Sequence, residues 1–149
     1  MDKQLFINGR NMTDQKNYLE NLMNEFKEVF ETDYTFEDGV YTIQVVTEDG
    51  DTEEVSVYET TDSYDVQKVV CTVSIGPIVK NPELLYTFLK NNFELDYGSF
   101  AIINEDDMDI LIIIESLIAD SLIVDDLVAI IDYLAEVAHE TRELLSKHS

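Results

Sequence analysis

The stretch Asp109–Ile118, "DILIIIESLI", decides the fold of this 149-residue chain. Read as a strand, it points Ile110, Ile112 and Ile114 to one side and Leu111 and Ile113 to the other. An antiparallel strand with one wet face alternates with polar residues. This one does not, so both of its faces need cover. Each leucine or isoleucine left in water would forgo roughly 1.5–3 kcal/mol of burial. One face is assigned to the terminal helices. The other requires the middle helix, a second subunit or a bound partner, unless the strand is sandwiched inside the monomer.

Working outward, the acidic turn "NEDD" (104–107) joins this strand to an earlier one at about 98–103. Before that, Asn81 and Pro82 read as the cap and first residue of a short helix, where proline's missing N–H costs nothing. Its apolar residues are Leu84, Leu85, Phe88 and Leu89, and Asn91-Asn92 are its terminators. Further upstream, "VQKVVCTVSI" (66–75) puts Val69, Cys71, Val73 and Ile75 on one face, and Gly76-Pro77 is read as its end. The segment "GVYTIQVV" alternates through Tyr41, Ile43 and Val45, and Asp49-Gly50 signals a two-residue hairpin leading into "TEEVSVYE". At the two ends the period is helical. Thr13 or Asp14 caps a helix carrying Leu19, Leu22, Met23, Phe26, Val29 and Phe30, and a long helix from about Asp125 carries Leu127, Ile130, Ile131, Leu134, Val137, Ala138 and onward.

The expected order is therefore α-β-β-β-α-β-β-α: an α+β domain with an antiparallel five-stranded sheet packed against helices. Residues 1–12 read as a flexible N-terminal arm and 13–149 as the single domain.

Composition narrows function more by exclusion than by assignment. The formal net charge is −23, from 32 acids against 9 lysines and arginines. No lysine or arginine stands between Lys27 and Lys68, nor between Lys90 and Arg142. Such a surface repels phosphate backbones and anionic membranes, which argues against nucleic-acid binding and membrane docking. It draws in a basic partner, or simply keeps the protein soluble. No apolar run approaches the roughly 20 residues of a membrane span. The N-terminus has no apolar run of signal-peptide length, and a lone cysteine, Cys71, fits a reducing cytoplasmic setting. Cys71 sits where a small core residue belongs, with no neighbouring base to activate it.

No catalytic or phosphate-binding motif is present, so the chain is read as a non-enzyme without cofactor. His139, near Glu136 and Glu140, is read as part of a solvated helix face. "NEDDMD" lacks the glycine and distal glutamate of an EF-hand, and "EDGDTEE" is explained as a charged hairpin, so no metal site is expected.

The segment 73–145 resembles the YbjN-type domain and the class I type III secretion chaperones. "LLYTFLKNN" matches their short helix ending on asparagine, and "LDYGSFAI" matches their glycine-aromatic strand through Gly98 and Phe100. "DMDILIIIESL" matches the next strand, and the helix from Leu127 to Leu145 the closing one. His139 replaces the aspartate of the family's "AD", and Leu117-Ile118 stand where a proline is usual. The first half of the chain agrees only in element order.

The resemblance implies a small, acidic, cytoplasmic protein, often a homodimer, that holds an extended polypeptide against apolar patches. The YbjN side implies a regulatory or stress-response protein acting through unknown partners. A third reading, an enzyme or metal-dependent protein using the carboxylates, has no motif behind it. On the chaperone reading, Leu111 and Ile113, with Val70 on the matching face of the third strand, are the expected partner or dimer contacts. The acids would steer a basic or amphipathic segment.

Overall fold

The computed structural model describes residues 18–147. The N-terminal arm and the Thr13/Asp14 cap lie outside the described residues. The elements are α1 (Tyr18–Phe30), β1 (Tyr34–Glu37), β2 (Val40–Val46), β3 (Thr52–Thr61), β4 (Gln67–Pro77), α2 (Pro82–Asn91), β5 (Ser99–Glu105), β6 (Met108–Ile118) and α3 (Val124–Lys147). Single 3-10 turns at Asn92–Glu94 and Ala119–Ser121 follow α2 and β6. The strands form one sheet in the order β1-β2-β3-β4-β6-β5, antiparallel at every pairing.

The α+β class and element types agree with the sequence reading, but the sheet has six strands rather than five. The extra strand is β1, four residues long, paired from Tyr34↔Ile43 to Glu37↔Val40. Its turn is Asp38-Gly39, and both residues have positive φ (53° and 82°), as a type I′ hairpin requires. Asp106-Asp107 turns β5 into β6 in the same way, with φ of 53° and 62°. The turn expected at Asp49-Gly50 is longer than two residues. The loop 47–51 is closed by the Thr47 N–H donating to the Asp51 carbonyl at 2.7 Å, and only Gly50 has positive φ. Nor does β4 stop at Gly76. A bulge between Ser74 and Gly76 shifts the register, and pairing continues to Pro77↔Ile110.

Buried side chains from all three helices join one cluster with Ile43, Val55, Val57, Val69, Cys71, Val73, Leu111 and Ile113. Leu127, Ile131 and Leu134 of α3 lie over β3, β4 and β6, and Leu19, Leu22, Met23 and Phe26 of α1 join the same cluster beside α3, with Leu19 next to Tyr34 and Tyr41 of β1 and β2. Val29 of α1 falls outside this stripe and is exposed. Phe88 of α2 meets Phe100 of β5 at 4.9 Å between ring centroids. Asn81 caps α2 by accepting from the Glu83 and Leu84 N–H groups, with Pro82 at the first helical position.

The doubly apolar strand is thereby explained for one face. Leu111 and Ile113, at 1% and 0% exposure, are covered by helices within the monomer. Ile112 pairs with Ser74 and Ala101 on the opposite face, and Ile114 with Thr72 and Ser99. The buried Val70 and Ile112 lie on that second face and are not part of the helix-side cluster.

Candidate polypeptide-binding surface

Two recesses mark the two ends of the sheet, one of mixed polarity and one mainly apolar. At the β1 end, Leu19 of α1 with Tyr34, Phe36, Gly39 and Tyr41 lines a recess of about 540 Å³, and Glu20 and Glu59 stand on its wall. The aromatics hold one another: Tyr41 meets Tyr34 edge-on at 5.2 Å and Phe36 at 4.4 Å. Tyr34 donates its hydroxyl proton to Asn24 Oδ1 at 3.0 Å. Burial, and then the neighbouring Tyr34, Glu20 and Glu59, push the Tyr41 phenol up, so it stays neutral. Phe36 is 58% exposed, a large ring facing solvent between carboxylates. An isolated exposed aromatic is ordinary, but an exposed aromatic beside a recess is a ready contact.

At the other end, Leu85, Phe88 and Leu89 of α2 face Phe100 and Ile102 of β5 across a recess of about 260 Å³ floored by Leu111. Leu89 is 70% exposed and Phe93 and Ile102 also face solvent. Strand β5 is an edge strand whose backbone is partly satisfied by Asn92. That side chain accepts from the Phe100 N–H at 2.6 Å and its amide faces the Phe100 carbonyl at 3.4 Å. Asn92 was expected only as a helix terminator.

The expected contact residues are placed differently from one another. Leu111 is the floor of the α2–β5 recess, whereas Ile113 is wholly enclosed and presents no surface. Val70 pairs with Ser116 and lies on the opposite face of the sheet, so it does not share a face with the other two. Alternation settles which residues share a face within one strand, but the register between strands decides which faces match.

His139 also departs from its expected place. It is 8% exposed, not part of a solvated face. Its Nε2 lies 2.6 Å from Asp49 Oδ2, 3.0 Å from Glu143 Oε1 and 3.5 Å from Asp51 Oδ2, and its Nδ1 lies 3.4 Å from Glu53 Oε2. The hydrogen bond to Asp49, with help from Glu53 and Glu143, raises the imidazole to about 9 against the opposing effect of desolvation. The same bond, with one from Thr47, lowers Asp49 to about 2. The buried Glu53 carboxylate is held by Arg142, 2.6 Å from Nη2, and Arg142 also donates to the Ser74 and Ile75 carbonyls at the β4 bulge. Glu136 accepts from the Glu48 N–H at 2.9 Å. The loop 47–51 is thus pinned to α3 by charge. The two halves of this cluster, Asp49–Glu53 and His139–Glu143, are about 90 residues apart, so only the fold joins them.

Cys71 is buried, and burial with Glu115 nearby pushes its thiol up to about 12, which keeps it protonated and inert. Among the described residues no helix is long and apolar enough to cross a membrane.

Neither a scan of protein-family models nor a search of curated proteins gives a match. Among solved structures, a chain from the structure of the HopA1–SchA chaperone–effector complex matches with a TM-score of 0.60 and 14% identity. The alignment covers 87% of this chain and 96% of that one. At that identity the likeness is one of fold. This chain has the α+β fold, with its antiparallel sheet and helices, of a chain from a chaperone–effector complex.

Proposed function

We propose that this protein is a non-catalytic, chaperone-like polypeptide-binding protein that acts as a cytoplasmic homodimer. The observation that carries the reading is the aromatic recess at the β1 end, framed by Glu20 and Glu59 on the fold shared with a chain of a chaperone–effector complex. Aromatic rings supply contact area at low entropic cost, while the carboxylates select lysine or arginine in the incoming segment. The occupant is an extended segment alternating apolar and basic residues. The exposed edge of β1 gives it backbone groups to pair with.

Self-association belongs to the other end. Between Leu84 and Ile103 only Glu94, Asp96 and Lys90 are charged, in a chain of net charge −23. Two such acidic molecules approach most cheaply where like charges are fewest, and there Leu89, Phe93 and Ile102 are exposed. Leu111 lines the floor of that recess.

The test is fluorescence anisotropy of a labelled extended peptide of alternating leucine and arginine, against wild type and Phe36→Ala. Binding should weaken by about tenfold in the variant, some 1.4 kcal/mol, and should fall as salt rises. Indifference to both Phe36 and salt would refute the recess as the site. Light scattering of wild type and Leu89→Glu tests the dimer separately: a dimer that Leu89→Glu leaves intact uses another face.

A further inference from the structure

We propose that Asp49, Asp51, His139 and Glu143 form a binding site for one divalent transition-metal ion, a site independent of the polypeptide recess. Their four ligand atoms, one imidazole nitrogen and three carboxylate oxygens, all lie within 4.8 Å of one another. His139 and Glu143 stand one turn apart on α3, while Asp49 and Asp51 come from the β2–β3 loop. The ion would join the loop to the helix.

Three observations separate this set from an ordinary patch of surface acids. First, the central donor is a histidine whose side chain is only 11% exposed, with Nε2 facing the oxygens. Its other nitrogen faces the buried Glu53 carboxylate, which Arg142 holds in place. A carboxylate behind the distal nitrogen is the arrangement that orients metal-bound imidazoles. Second, three carboxylate oxygens converge on one imidazole nitrogen. One Nε2–H satisfies one acceptor, yet oxygens stand at 2.6, 3.0 and 3.5 Å from that nitrogen. Asp49, Asp51, Glu53 and Glu143 bring four negative charges against two positive ones at most, from Arg142 and a protonated His139. A metal-bound Nε2 carries no proton, so with an ion in place Arg142 would be the one positive side chain beside it.

Third, the spacing fits. Tetrahedral zinc with bonds of about 2.0–2.2 Å sets its ligand atoms roughly 3.3–3.6 Å apart. The separations from Nε2 need changes of less than about 1 Å to reach that, and the carboxylates that would move are on exposed side chains at the rim. One imidazole among few donors favours zinc or its neighbours over calcium, which takes six to eight oxygens.

The test is calorimetric titration of Zn²⁺ into the full chain after chelator treatment and dialysis, with thermal unfolding alongside and Ca²⁺ as comparator. Wild type should take up one Zn²⁺ with a higher unfolding temperature. Glu143→Gln and Asp51→Asn, both on exposed side chains, should weaken uptake by at least about tenfold, and His139→Gln should do the same if it folds. His148→Ala, which removes the other imidazole of the chain, should leave uptake unchanged. Absence of saturable Zn²⁺ uptake would overturn the site. So would uptake equal in Glu143→Gln, Asp51→Asn and wild type, or Ca²⁺ matching Zn²⁺ in affinity.

Discussion

Replacing Gly98 by alanine tests how closely α3 lies over the start of β5. Gly98 has φ +77°, and a Cβ there would sit 2.8 Å from Leu134 Cδ2, 3.2 Å from the Ile114 carbonyl oxygen and 3.3 Å from Ile113 Cγ1. Both side chains belong to the fully enclosed core. The chain is held against α3 just before this point, where the Asp96 N–H donates to the Tyr133 hydroxyl at 2.9 Å and Tyr97 meets Tyr133 edge-on. The glycine therefore cannot simply move away. Two costs add: roughly 1–2 kcal/mol for an L-residue in the left-handed region, and roughly 1–3 kcal/mol for overpacking. Gly39 supplies the control. Its φ is +82° with nothing within 4 Å of the added carbon, so Gly39→Ala carries the backbone cost alone. Urea unfolding followed by circular dichroism should place Gly98→Ala below Gly39→Ala by about 1–3 kcal/mol. In thermal scans that gap is roughly 2–4 °C per kcal/mol for a chain of this size. Trimming Leu134 in the Gly98→Ala background should show coupling, because the shared contact is then gone. Equal losses at Gly98 and Gly39 would refute the close approach of α3 to β5.

Other expectations follow from single residues. In chelator-containing buffer, the His139 cluster should make stability pH-dependent in a stated direction. The imidazole rises from 6.5 to about 9 on folding, so its contribution is complete below pH 6.5 and is lost as pH rises through about 9. Asp49 falls from 3.8 to about 2, so its share is present above pH 3.8 and is lost as pH falls through about 2. A His139→Gln protein whose unfolding midpoint follows the same alkaline profile as wild type would contradict this. Cys71, at about 12 and buried, should react with a thiol reagent only at the rate of opening, and fast labelling under native conditions would place it wrongly. Asn81→Ala removes the acceptor for two helix N–H groups and should cost about 0.5–2 kcal/mol, measured by urea midpoint. Ile113→Asp buries a charge without a partner and should yield no folded protein, whereas a folded variant would move Ile113 out of the core.

Local signals carried most of the elements because each has a local cause. Asn81-Pro82 started α2 through a cap that spans three residues, and the parity of Val69, Cys71 and Val73 marked the buried face of β4. Strand β1 escapes local reading because four residues show barely one alternation, although Asp38-Gly39 is a turn signal. The β4 bulge escapes it for the opposite reason: glycine and proline read as a stop, yet pairing with β6 carries the strand past them. At the candidate surface, the acid-poor segment from Leu84 to Ile103 was visible in the sequence, but the β1 recess was not, since Leu19, Phe36 and Glu59 come from three separate elements.

Sequence alone dictates that Ile110, Ile112 and Ile114 oppose Leu111 and Ile113, because alternation is a property of the single strand. It also determined the α+β class, the inert setting of Cys71 and the acidity of the surface. Which set of isoleucines the helices cover was decided only by tertiary structure. So were the separation of Val70 from Leu111 and the burial of His139. The physical reason is common to all three. A strand's faces are equivalent until a helix packs on one, and a histidine about 90 residues from its carboxylate partner has no environment until the β2–β3 loop and α3 meet.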